Sequence, residues 1–142
     1  MKVALGSDHA GYDLKEQIKQ HLKKRKITYI DIGAYGTEPV DYPDYAVRAA
    51  KIVTSHKAKF GILICGTGIG MSMAANKIKG IRAAVCHSVY TAEMSRKHNN
   101  ANILAIGARI LKSGLAVKIV DAFISTPFEG GRHLRRVKKI GK

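Results

Sequence analysis

The sequence is short of cysteine, of acidic residues and of long apolar runs, and each shortage excludes a class of protein. Two cysteines, Cys65 and Cys86, are too few for a disulfide framework. Neither belongs to a CxxC or His-rich cluster spaced for zinc, so both read as free thiols in a reducing compartment. No apolar stretch approaches the roughly 20 residues that cross a bilayer. The opening MKVALGSDHAG meets charged Asp8 too early for a secretory signal. The chain is therefore expected to work in the cytoplasm, away from membranes. Gly/Ser linkers, repeats and low-complexity tracts are missing too, which predicts one domain over residues 1–142.

Ten Asp and Glu face 25 Lys and Arg, leaving a formal charge of +15. Such a surface attracts nucleic acid, acidic lipid or phosphorylated metabolites, and charge alone does not choose among them. The basic residues concentrate in RHLRRVKKIGK, residues 132–142, which holds no Phe, Tyr or Trp to stack on bases. That counts against a nucleic-acid-binding module, the rival reading of the charge. If the segment is helical, Arg132 and Arg136 share a face.

What is present is an alternation. Short apolar runs near residues 2–6, 27–33, 60–65, 81–86 and 102–107 are separated by stretches with helical spacing. This predicts an α/β fold with a five-stranded parallel sheet covered on both faces. In the first helix Leu14, Ile18 and Leu22 point inward while Lys15, Glu16, Lys19 and Lys23 face away. Pro43 opens the next, with Ala46, Ala50 and Val53 on its stripe. Ser113 caps a later helix that carries Leu115, Ile119 and Ala122 inward.

Ligands of parallel sheets bind beyond the carboxyl ends of the strands, and those ends carry the chemistry-bearing residues. The central one reads LICGTGIG. Gly66, Gly68 and Gly70 leave backbone N–H groups open at the start of a helix beginning MSMAANK, forming a cradle for an oxyanion, with Ile69 inside the loop. A dinucleotide fingerprint requires Gly or Ala at 71, and a Cys-x5-Arg phosphatase loop requires Arg there; the residue is Met71. No Lys-Ser/Thr pair follows as in a P-loop.

What remains is the Cys65 thiol beside amide donors, with Thr67 supplying a hydroxyl. The helix start and nearby cations favour the thiolate. A thiolate at an oxyanion cradle suits attack on an acyl carbon, or removal of a proton from carbon beside a carbonyl. The second chemistry also needs an acid/base for hydroxyl protons. His98 in SRKHNNAN is the candidate, with Asn99 beside it to hold a hydroxyl.

Each of these residues has a plainer reading. Cys65 is a small core residue on one view, and Cys86, which has no cradle, is read as core outright. His21, His56 and His87 are assigned to solvated or satisfied positions. His9 and His98 are retained because their loops are expected on the active edge. Asp8 serves equally as a turn or capping residue, Asp13 with Glu16 resembles a capping arrangement, and Asn99–Asn100 suits a turn.

The stretches GSDHAG, DYPDYA, ICGTGIG, NKIKGIRAA, HNNANILAIGAR and FEGGRHLRRV, which span the chain end to end, resemble the type B ribose-5-phosphate isomerases. The wider group includes allose- and galactose-6-phosphate isomerases. The resemblance implies a Rossmann-like three-layer α/β/α sandwich that works without metal or nucleotide. It implies Cys65 as the base moving a proton between C2 and C1, and Thr67 with the amides of Gly66 to Gly70 supporting the enediolate. His98 would assist ring opening, and Asp8 and Asn99 would hold sugar hydroxyls. Phosphate would be bound by His9, Arg132 and Arg136, with Arg109 a further candidate, so that the segment from about 130 to 142 joins the site. A homodimer or dimer of dimers, with active sites between subunits, is also implied.

Overall fold

The computed structural model describes residues 1–141, so Lys142 of the basic tail lies outside the described residues. In chain order the elements are β1 (Lys2–Ser7), α1 (Tyr12–Lys24), β2 (Thr28–Asp31), α2 (Tyr42–Thr54), β3 (Phe60–Cys65) and α3 (Ile69–Ala75). They continue with β4 (Ala83–Val85), α4 (Val89–Lys97), β5 (Ile103–Gly107), α5 (Ser113–Ser125) and α6 (Arg132–Lys139). The strands lie in the order β2-β1-β3-β5-β4, and every neighbouring pair is parallel. The predicted α/β/α sandwich is the fold observed. β2 and β4 are shorter than their apolar runs, as befits the two edge strands.

Strand alternation sorts the core into two layers. Ile62 and Ile64 of β3 join Val3, Leu5, Leu104 and Ile106 beneath α1 and α5. Leu63 and Cys65 face the other way, toward Ala46, Ala49, Ala50 and Val53 of α2 and Met71 and Ala75 of α3. The alanines of α2 are fully buried, and their small side chains let that helix lie close on the sheet. Pro43 stands in the first turn of α2, where its missing N–H has no intrahelical partner to lose.

Lys15 departs from its expected outward position: it is fully buried. Its Nζ donates to Asp31 Oδ1 and to the Ala34 carbonyl, each at 2.6 Å, while Lys19 Nζ reaches Asp31 Oδ2 at 2.9 Å. Lys15 precedes Ile18 by three residues and Leu22 by seven, so it shares their face; its carboxylate partner comes from the end of β2, which helical periodicity cannot reveal. Leu115 is likewise 40% exposed, and the inward stripe of α5 runs through Ala116, Ile119, Val120 and Phe123. Ser113 is the first helical residue and makes no capping bond. Asp13 does not cap α1 either; the Gly11 N–H at that helix start donates to Asp8 Oδ1 at 3.0 Å.

Burial by itself would raise the Asp31 carboxyl, but hydrogen bonds from Lys15, Lys19 and the Gly33 N–H outweigh it and hold the group below its usual 3.8. The Asp31 hydrogen bond is likewise the main force raising Lys19 above the ordinary lysine value, against its own burial. A carboxyl that titrates lower in the folded than in the unfolded chain contributes stability above the unfolded value and loses it as pH falls through the folded one. Asp31→Asn leaves the buried Lys15 ammonium without its counter-charge and is expected to cost about 3 kcal/mol at neutral pH. In urea titrations the gap between variant and parent should narrow progressively as pH falls below about 4; a gap that stays unchanged down to the acid limit of folding would refute the ion-pair account.

Candidate active site

From β1 the chain turns to β2 on one side and then crosses to β3 on the other, so the connections leaving the paired carboxyl ends of β1 and β3 run to opposite faces and leave a crevice between them. Asp8 and His9 leave β1 there, and Cys65 leaves β3. The approach is close: a Cβ on Gly11 would collide with the Ile64 carbonyl oxygen. Asp8 is buried, with one carboxylate oxygen committed to the Gly11 N–H. The turn role read for it is therefore real. His9 Nδ1 accepts the Val40 N–H at 3.1 Å, which puts the proton of the neutral ring on Nε2 as an outward donor.

Cys65 is 6% exposed, and its Sγ accepts the Gly68 N–H at 3.2 Å. Gly68 has φ +81°, and a Cβ there would lie 3.0 Å from the backbone of Ile106 in β5. The loop thus curls back on the sulfur because residue 68 has no side chain. α3 begins at Ile69, two residues earlier than its sequence suggests, and the Ile69 N–H donates to Thr67 Oγ1 at 3.2 Å. Arg109, just past β5, lays its guanidinium beside Gly66, where an added Cβ would come 3.0 Å from Nη1. Tyr42 was not singled out by sequence reasoning. Its ring covers the loop from the start of α2, so near that a Cβ on Gly70 would be 2.5 Å from it. The Tyr-Pro pair that opens α2 was the available signal.

Cys86 is a core residue, as expected: it is 1% exposed, and burial pushes its thiol up against weaker opposition from Ser95 and Thr91. His21 is satisfied by Asp121 at 2.8 Å. His87 does not match its expected satisfied position, since its Nε2 is buried without a partner among the described residues.

His98 and Asn99 are not on this edge. α4 leaves the carboxyl end of β4 and runs back along the sheet, so its C-cap His98 reaches the amino edge, where Asn102 O accepts the Gly61 N–H at the start of β3. α5 makes the same return and delivers α6 to that edge. There His98 stacks on His133 with centroids 4.4 Å apart, and its Nε2 lies 3.6 Å from Glu129 Oε1. Arg132 and Arg136 flank His133 on α6, both exposed. At roughly 3.3 Å per residue, β3 holds the two edges about 17 Å apart. One chain thus carries two groups of candidate residues: Asp8, His9, Cys65 to Gly70 and Arg109 on one edge, and His98, Asn99, Arg132 and Arg136 on the other.

The family described as Ribose/Galactose Isomerase matches residues 3–140. The chain belongs to that family. It is accordingly an isomerase of the aldose–ketose type, an intramolecular oxidoreductase. Among relatives of this ribose/galactose isomerase, ribose-5-phosphate isomerase B of Escherichia coli K12 is 49% identical over 139 residues, covering 98% of this chain and 93% of the relative. The solved Clostridium thermocellum ribose-5-phosphate isomerase B superposes with a TM-score of 0.98 at 55% identity, over 99% of this chain and 95% of that one. The Mycoplasma genitalium enzyme, solved with bound ribulose-5-phosphate, gives 0.92 at 45% identity over 98% and 93%. No helix among the described residues is long and apolar enough to cross a membrane.

If the loop depends on residue 68 as described, Gly68→Ala forces an L side chain into a left-handed conformation and against β5. A loss of about 1–2 kcal/mol is expected, with a fall in activity larger than that of a surface Gly114→Ala control, which has open space around it. Thermal denaturation and steady-state assays check this; wild-type values for Gly68→Ala would refute it.

Proposed function

We propose that this isomerase interconverts ribose 5-phosphate and ribulose 5-phosphate, with Cys65 as the base. The carrying observation is the Cys65 sulfur held against the Gly68 N–H at the head of a glycine loop. The thiolate takes the proton from C2 of the open-chain aldose. The C–H electron pair becomes the C1=C2 bond, and the aldehyde oxygen becomes the enediolate oxygen. Amides of Gly66 to Gly70 and the Thr67 hydroxyl stabilise that charge. Cys65 then returns the proton to C1, O2 gives up its proton to become the ketone oxygen, and O1 gains one. The hydrogen moves within one molecule, so the electron balance closes on the substrate.

The aldose is mainly cyclic, and ring opening moves a proton off the anomeric hydroxyl, breaks the bond from C1 to the ring oxygen and protonates that oxygen. His98 carries one of these protons. Asp8 and Asn99 hold hydroxyls, and His9, Arg109, Arg132 and Arg136 bind the phosphate, the arginines through paired N–H donors. Groups on opposite edges of one sheet cannot meet on one substrate. Two copies of the chain therefore build each site, one giving Cys65 and the other His98, Arg132 and Arg136. Supporting this dimer is a cavity of about 970 Å³ beside the free edge of β4, lined in part by Ile78, Ile81, Ala84 and Ile140 and adjoining Asn99. The setting is the cytoplasm, where sugar phosphates occur.

Cys65→Ala should lower kcat by about a thousandfold or more while phosphate binding and folding persist; near-normal turnover would remove Cys65 as base. Comparing kcat/KM for ribose 5-phosphate and allose 6-phosphate tests the substrate, and a preference for the hexose would reassign it. Co-refolding Cys65→Ala with His98→Asn chains should recover about a quarter of wild-type activity at random pairing, because each mixed dimer rebuilds one intact site. No recovery would refute the shared site.

A further inference from the structure

α6 is basic and solvent-facing, yet it buries one side chain, that of His133, at 7% exposure. That ring lies flat against His98, with 15° between the planes. Glu129, four residues earlier, is held beside α4 by its N–H, which donates to the Lys97 carbonyl at 3.2 Å. Its Oε1 lies 3.6 Å from His98 Nε2 and 3.8 Å from His133 Nε2, so a single oxygen faces both rings. Gly130 and Gly131, both at positive φ, make the turn that lets Glu129 and His133 converge. The three ligand atoms are close enough to suggest a metal site. Stacking argues against it, because the in-plane lone pairs of two near-parallel imidazoles run side by side rather than toward one ion.

We propose that Glu129 and His133 are positioning residues for His98: the carboxylate is the counter-charge for the imidazolium that His98 forms during proton transfer, and the stacked ring holds its plane. Whichever ring-opening proton His98 carries, it is cationic on one side of the transfer, and the Glu129 carboxylate oxygen lies 3.6 Å from its Nε2 in the orientation the stack imposes. A second cation in the stack would repel the first. Burial, together with positive charge at His98, Arg132 and Arg136, holds the His133 imidazole below its ordinary value, against the pull of Glu129. His133 therefore serves as a neutral plate. The groups facing the pair are Glu129 from the preceding loop and Arg132 and Arg136 from α6 itself.

This inference rests on the ring-opening role of His98, and the two can be separated by direction of reaction. Ribulose 5-phosphate, with O5 phosphorylated, cannot close a furanose ring and is open-chain; ribose 5-phosphate is mostly cyclic. At saturating substrate a defect in ring opening lowers kcat in the aldose-to-ketose direction more than in the reverse, where open-chain aldose can leave unclosed, whereas a folding defect lowers both alike; kcat/KM, whose ratio is fixed by the equilibrium constant, serves as the internal check. Initial rates are measured both ways for full-length His98→Asn, Glu129→Gln, Glu129→Asp, His133→Ala and His133→Phe. Glu129→Gln and His133→Ala should each lose about tenfold more in the aldose direction than in the ketose direction. Glu129→Asp, which keeps the charge, and His133→Phe, which keeps a flat ring, should restore most of that difference. If His98→Asn shows the asymmetry and the Glu129 and His133 variants do not, positioning is overturned and the ring-opening role stands. If His98→Asn shows none, both fall.

Discussion

In an all-parallel sheet every connection must carry the chain from the carboxyl edge of one strand back to the amino edge of the next, and this obligation decides where each reactive side chain lies. Residues that end strands collect on one edge. Residues that end the returning helices collect on the other. In this chain the first group includes Cys65 and the glycine loop, and the second includes His98 and the arginines of α6. The separation is set by strand length, and no side-chain rearrangement can bridge it. Within one chain, therefore, the two groups do not converge.

The same strand polarity explains why two cysteines at similar strand ends differ. Cys65 ends the central β3, where the following loop has Gly68 in a left-handed conformation and returns an amide to the sulfur. Cys86 follows the short edge strand β4 and packs beneath Ala92 and α5, where burial favours the neutral thiol. One sulfur meets a backbone donor at the mouth of a loop, and the other meets an apolar wall. Similarly, Lys15 tolerates full burial because Asp31 and the Ala34 carbonyl meet its ammonium at the far end of the stem.

Much of the fold was legible in order of appearance. The five apolar runs marked five strands because buried parallel strands need apolar residues on both faces, and Pro43 and the alanine stripe located α2. The errors have a common origin. Lys15 and Leu115 were assigned by hydropathy at positions where a partner from another element, or the lack of one, decided burial. The loop of His98 was expected on the carboxyl edge, but α4 returns across the sheet and carries that residue to the amino edge. Tyr42, Glu129 and His133 lie inside the stretches DYPDYA and FEGGRHLRRV, but no spacing gave them a role, since what singles them out is the loop, ring or imidazole each meets across the fold.

By itself the amino-acid order determined the layered α/β architecture, the cysteine with its glycine loop and the basic final segment, because these depend on periodicity, on residue type and on neighbours a few positions apart. Only the tertiary structure decided which edge of the sheet each group occupies, that a lysine is buried, and that two histidines stack beside one carboxylate. Those outcomes depend on the direction in which helices return across the sheet and on contacts between residues distant in the chain, and local spacing carries no record of either.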